Sequence, residues 1–274
     1  MIRPFALLLA LALLTPALAQ EARNACGGAG DPCTLPGGEY LAALPPGPAS
    51  GAVIFLHGYG GRAEATIRNR ALVAGLVEAG FAVIAPQGRP RFEGDRGGSW
   101  NSLGRPAPRR DDVAFLLAVA DDAAGRFGLP REAMVLAGFS GGGMMTWQAA
   151  CTAPEGFAAF APVAGTFWRP APDRCAGPIR LLHTHGTSDT VVPLAGRMVG
   201  SGITQGDLFE ILATRILAAD CPEDPIITRD GTTETRHWPA CGDGSDIRLD
   251  LHPGGHVVPD LWGRRMLAWY VTVR

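Results

Sequence analysis

Five short, almost uninterrupted apolar runs constrain the fold of this chain more than anything else in it: residues 52–57 (AVIFLH), 81–86 (FAVIAP), 133–138 (AMVLAG), 158–163 (AAFAPV) and 179–185 (IRLLHTH). Runs this short that do not alternate polar with apolar residues belong to strands buried on both faces, the condition of a parallel sheet covered by helices on each side. Residues 246–251 (DIRLDL) do alternate, which predicts an edge strand. Between the runs, Val113, Leu116, Leu117, Ala120, Ala124 and Phe127 recur at three- and four-residue steps behind Asp111 and Asp112. That is an amphipathic helix with negative charge at its N-terminus. Weaker helical patterns cover 63–79, stopped by Gly80, and then 142–151, 208–219 and 261–271. The Pro/Gly-rich stretches 44–51 and 88–110 read as loops. Alternating strands and helices, with no internal repeat or dividing linker, predict an α/β fold: a mostly parallel sheet with helices on both faces, in a single domain.

Charge narrows the partners. The 24 positive residues are all arginine, the formal net charge is -2, and no basic block marks a nucleic-acid partner. Arg3, the apolar segment 5–14 and Ala17-Leu18-Ala19 form the pattern of an export signal over 1–19, leaving a mature domain 20–274 that is secreted or periplasmic. The apolar segment is too short to stay in a bilayer, so no membrane attachment is expected after cleavage. Six cysteines remain: Cys26, Cys33, Cys151, Cys175, Cys221 and Cys241. In an exported chain an even count suggests disulfides, and sequence leaves many connectivities open; pairing of neighbours is the simplest. No CxxC or HExxH spacing points to a metal, and neither metal nor organic cofactor is expected.

Gly138-Phe139-Ser140-Gly141-Gly142 supplies the chemistry. This GxSxG sits between an apolar strand and a helical pattern, the setting of a nucleophile elbow, in which a strained serine projects above the sheet. Side chains two residues before and after would collide there, and Gly138 and Gly142 have none. Serine is a poor nucleophile unless a base takes its proton and a carboxylate orients that base. Asp189 directly follows a strand end, and His256, in LHPGGHVVP, has Gly254 and Gly255 to let its loop return over the serine. Other bases are available in His183, His185, His237 and His252, and other acids in Asp207, Asp220, Asp224 and Asp243. The order Ser, Asp, His favours Ser140, Asp189 and His256. For the oxyanion, the Gly141 N–H at a helix start and the Tyr59 N–H in the loop LHGYGG are the expected donors. Trp100 and Trp168 are candidates for substrate contact.

With these pieces in order, the chain resembles the secreted polyhydroxybutyrate depolymerase and feruloyl esterase group of α/β-hydrolases, related to acetylxylan esterases. The resemblance covers about residues 51–259 and is carried by LHGYGG, DDVAFLLAVADDAAGRFGLP, GFSGGGMM, APVAGT, HGTSDTVVP and PGGHVVP. It implies that Ser140, Asp189 and His256 form a catalytic triad and that Cys221 pairs with Cys241. Gly141 stands where that group commonly has Asn, Val258 where it has Trp, and Leu194 where Tyr often follows VP. The implied function is an exported serine carboxylic-ester hydrolase acting on polyhydroxybutyrate-type oligomers or feruloyl or acetyl esters. Amide or peptide hydrolysis on the same triad, and a catalytically silent binding protein on a hydrolase scaffold, are the alternatives.

Overall fold

A computed structural model of the chain describes residues 26–27, 30–105, 109–200 and 202–274. The expected export signal over 1–19 lies outside them. The five apolar runs become β3 (Gly51–Leu56), β4 (Phe81–Pro86), β5 (Met134–Phe139), β6 (Ala159–Val163) and β7 (Arg180–Gly186). With β12 (Asp246–His252) they form the parallel centre of a 10-stranded sheet in the order β4-β3-β5-β6-β7-β12. Antiparallel strands extend it at both edges: β1 (Cys33–Leu35) and β2 (Gly38–Ala43) beside β4, and β11 (Thr233–Trp238) and β10 (Ile226–Asp230) beside β12. A separate short hairpin joins β8 (Met198–Val199) to β9 (Ile203–Thr204).

Successive strand residues feed two hydrophobic layers. Val53, Val83, Val135 and Leu182 pack with Leu72 and Leu76 of α2 (Arg70–Glu78) and with Trp262, Met266 and Tyr270 of α6 (Trp262–Val273). Ile54, Ile84, Leu136 and Leu181 face the other way, towards Leu116 and Val119 of α3 (Asp112–Phe127), Trp147 of α4 (Gly141–Thr152) and Ile211 of α5 (Leu208–Ala218). Both faces are therefore dry, which is why the runs do not alternate. The fold is that of an α/β-hydrolase, with one domain. Among the described residues, no helix is long and apolar enough to cross a membrane.

Local chemistry sets the helix ends. Asp111 accepts a hydrogen bond from Ala114 N at 3.0 Å and caps α3, which Gly128 ends at φ 64°. The single helix expected over 63–79 is instead two, α1 (Ala63–Arg68) and α2, because Asn69 turns extended and uses its side chain to cap the second, accepting from Leu72 N at 3.2 Å. The cysteines join as neighbours, Cys26–Cys33, Cys151–Cys175 and Cys221–Cys241.

The edge position expected for 246–251 is corrected. β12 is interior, and β11 and β10 lie outside it. Its alternation has another cause: Ile247, Leu249 and Leu251 enter the core, while Asp250, only 1% exposed, gathers Arg248 Nε at 2.8 Å, Thr235 Oγ1 at 2.7 Å and Arg265 Nε at 3.2 Å. A satisfied polar cluster under α6 imitates a solvated face. The edge strand on this side, β10, is exposed along its whole length.

Candidate active site

Ser140 sits between β5 and α4 at φ 56° and ψ -118°, in the left-handed region that non-glycine residues rarely enter. Its neighbours leave no alternative to glycine. A Cβ at Gly138 would lie 2.5 Å from Gly142 O, one at Gly142 would lie 2.7 Å from His57 O, and one at Gly143 would lie 2.7 Å from Val163 O. The bend is held by Ser140 N donating to Val163 O at 2.9 Å and by Met144 N donating to Ser140 O at 2.9 Å. Such strain, about 1–3 kcal/mol, persists only where the surroundings over-determine it.

His256 Nε2 lies 2.9 Å from Ser140 Oγ, and His256 Nδ1 lies 2.7 Å from Asp189 Oδ2. The carboxylate can only accept, so Nδ1 carries the proton and Nε2 is left to accept from the hydroxyl. Asp189 Oδ1 accepts from Val191 N at 2.8 Å and Val192 N at 2.9 Å. Burial raises the Asp189 carboxyl, but the His256 hydrogen bond and these two amides outweigh it and hold the group below its ordinary value. The acid and histidine loops are tied to each other by Thr187 N donating to His252 O at 2.7 Å and Ser188 N donating to Gly254 O at 3.1 Å.

Behind Asp189 lies a buried hydrogen-bond chain through His183 and His185, two of the rival bases. Trp147 Nε1 donates to His183 Nδ1 at 3.0 Å, His183 Nε2 faces His185 Nδ1 at 2.8 Å, and His185 Nε2 faces Val192 O at 2.8 Å. An indole N–H can only donate, so each tautomer follows in turn: both histidines carry the proton on Nε2, and His185 donates to the Val192 carbonyl. His185 Nε2 is also 3.4 Å from Asp189 Oδ2. Burial pushes His183 well below the usual histidine value and lowers His185 too, which keeps both neutral. No sequence signal marks Trp147, whose contribution depends on its indole reaching His183 of β7 from the helix after Ser140.

Several of the rival residues have other partners. His237 pairs with Asp246 at 2.9 Å, and Asp207 caps α5 by accepting from Phe209 N and Glu210 N. His252 accepts from Gly254 N at 3.1 Å. Among the described residues, His256 is the histidine that meets the Ser140 hydroxyl.

Gly141 and the Tyr59 amide come close beside the serine: a Cβ at Gly141 would lie 3.2 Å from Tyr59 N. Neither amide has a hydrogen-bond partner among the described residues. Residues 88–100 brace this pair. Gly88 N donates to His57 Nε2 at 3.0 Å, Trp100 Nε1 donates to His57 O at 2.8 Å, and Gly60 N donates to Gly98 O at 2.8 Å. Tyr59, Trp100, Gly141 and Trp168 line, with Ser140, a cleft of about 460 Å³. Trp168 stands half-buried in its wall, with Nε1 donating to Ser102 Oγ at 3.0 Å.

A strained serine, a histidine and a carboxylate over the C-terminal edge of a parallel sheet define the α/β-hydrolase class of site. The chain belongs to the phospholipase/carboxylesterase family, whose profile matches residues 42–201. It is 30% identical over 229 residues to NocK of Nocardia uniformis subsp. tsuyamanensis, an esterase by name, across 75% of this chain and 64% of that protein. The match thus spans slightly under two thirds of that relative's length. Feruloyl esterase C of Aspergillus clavatus, so named as probable, is 28% identical over 73% of each chain. The acetyl xylan esterase of Aspergillus awamori shares the fold at a TM-score of 0.63, with 16% identity over 86% of this chain and 94% of that one.

Proposed function

We propose that the protein is an exported serine carboxylic-ester hydrolase that works through an acyl-enzyme on Ser140, acting on polyhydroxybutyrate-type oligomers or on feruloyl or acetyl esters. The observation that carries this reading is the pair of hydrogen bonds made by His256, to Ser140 Oγ at 2.9 Å and to Asp189 Oδ2 at 2.7 Å. Family membership and the esterase names of its relatives support it. The three disulfides support an oxidising compartment, and so export.

In the reaction, Ser140 Oγ bonds to the ester carbonyl carbon as its proton passes to His256 Nε2. Asp189 holds the ring and offsets the charge of the imidazolium. The carbonyl oxygen, now an anion, takes hydrogen bonds from the amides of Tyr59 and Gly141, donors with nothing else to satisfy. Collapse breaks the bond to the alcohol oxygen, which leaves with the proton from His256. Water then attacks the acyl-enzyme by the same route, freeing the acid and regenerating Ser140. Trp100 and Trp168 supply the apolar wall for the acyl or aromatic part.

The test is turnover of a p-nitrophenyl acyl ester by purified wild type, Ser140→Ala and His256→Ala. The expected loss in each variant is on the order of 10⁶-fold in kcat, with the fold intact by circular dichroism. Near-wild-type turnover in either would refute the assignment.

A further inference from the structure

The cleft over Ser140 carries charge of one sign. Its charged lining side chains are Arg105, Arg109 and Arg197, and no carboxylate lines it among the described residues. Several arginines outside the cleft face carboxylates, as in Arg91–Asp95, Arg110–Asp112 and Arg131–Asp121. Arg105 and Arg109 have no ion pair among the described residues, and the stretch between them is Pro-Ala-Pro, which brings no counter-charge. Arg197 donates from Nε to Val191 O at 2.8 Å, which anchors it over the turn that follows Asp189. This local excess of positive charge runs against a chain whose formal net charge is -2.

Guanidinium groups left unpaired around a cleft with apolar walls raise the local potential and keep planar donor pairs that match a carboxylate. A second feature of the same wall points to a ligand as well. Gln205 is 5% exposed, lines the cleft, and its buried Oε1 has no hydrogen-bond partner among the described residues. A stranded amide oxygen is unfavourable, and a donor on a bound molecule relieves it.

We propose that this cleft selects esters that carry a free carboxylate, read by Arg105, Arg109 and Arg197, and a hydroxyl for Gln205. A short hydroxy-acid oligomer hydrolysed near its acid end is the simplest such molecule. The inference rests on the ester-hydrolase reading and narrows it, because an acetyl ester of a neutral sugar offers nothing to the three cations. An ester on a uronic-acid saccharide presents the same chemistry from another source, so the test has an arm for each.

The experiment compares kcat/KM on a linear 3-hydroxybutyrate trimer as free acid and as methyl ester, and on acetylated oligogalacturonate against acetylated xylo-oligosaccharide. Wild type is set beside Arg109→Met, Arg197→Met and the triple variant with Arg105→Met. The expected result is a preference for the acid of about tenfold or more at low salt, in one pair or both. It weakens as salt rises and collapses in the triple variant. The pair that shows it identifies the source. Equal rates in both pairs, or a preference that survives the triple substitution, would overturn the proposal. Fluorophosphonate labelling of wild-type Ser140 is read in parallel. No labelling with no ester turnover overturns the ester-hydrolase reading itself, whereas labelling without an acid preference overturns the charge reading alone.

Discussion

Replacing His185 with leucine cuts the buried chain that reaches Asp189 from behind. His185 is fully buried, with Nδ1 accepting from His183 and Nε2 donating to Val192 O. Leucine strands two groups, the His183 Nε2–H and the Val192 carbonyl. Each unpaired buried group costs about 1–3 kcal/mol, so the variant is expected to lose about 2–6 kcal/mol of stability. His185→Gln is the control: its terminal amide can still donate to Val192 O, leaving one stranded group and a loss of about 1–3 kcal/mol. Activity follows from the same geometry. The Val191 and Val192 amides aim Asp189 through Oδ1, and freeing the Val192 carbonyl loosens that turn. The expected fall in kcat for leucine is about tenfold to a hundredfold with little change in KM. That lies well short of the loss of about 10⁴ seen when a triad carboxylate is replaced outright. Stability is measured by urea unfolding, and kcat is expressed per fluorophosphonate-reactive site so that only folded enzyme counts. If leucine and glutamine agree within about 0.5 kcal/mol and both keep wild-type turnover, the directional chain from Trp147 contributes nothing and the argument fails.

Two further outcomes are expected besides those given with the proposals above. Gly142→Ala drives a Cβ into the carbonyls of Leu56 and His57, so the elbow must open; turnover and serine labelling should both fall by more than tenfold, and unchanged labelling would show that the bend tolerates a side chain. Stability should decline on acidification. His57, His183 and His185 are held neutral in the fold by burial, whereas in the unfolded chain they take up protons as pH drops through about 6.5. The unfolded state then binds more protons, so stability falls as pH falls, by up to about 1.4 kcal/mol per pH unit for each such histidine until its lowered folded-state value is reached. Melting temperatures that are flat from pH 7.5 to 5 would contradict this.

The parts of the molecule legible in sequence are those encoded by local pattern. Continuous apolar runs announced the parallel strands, and glycines two residues either side of Ser140 announced a bend that no side chain fits. What escaped depends on contacts between distant segments. Residues 226–238 (IITRDGTTETRHW) pair as a hairpin against β12, yet carry too few apolar residues in register to read as strands. β12 read as an edge because Arg248 and Asp250 look solvent-facing until Arg265, on α6, is brought over them. The loop 88–110 read as a connector, although it clamps His57 and thereby the amide of Tyr59. His183 and His185 stand in the sequence as rival bases, and only the approach of Trp147 gives them their place in a directed chain.

The backbone bonds from Thr187 to His252 and from Ser188 to Gly254 fuse the acid and imidazole loops into one stiff piece, while the serine rides on a separate bend. The proposed triad thus has two mechanical parts. Grafting substrate loops from one scaffold to another should succeed when both fused loops travel together, and a donor that contributes only one of them would misalign the pair however well its own sequence matched.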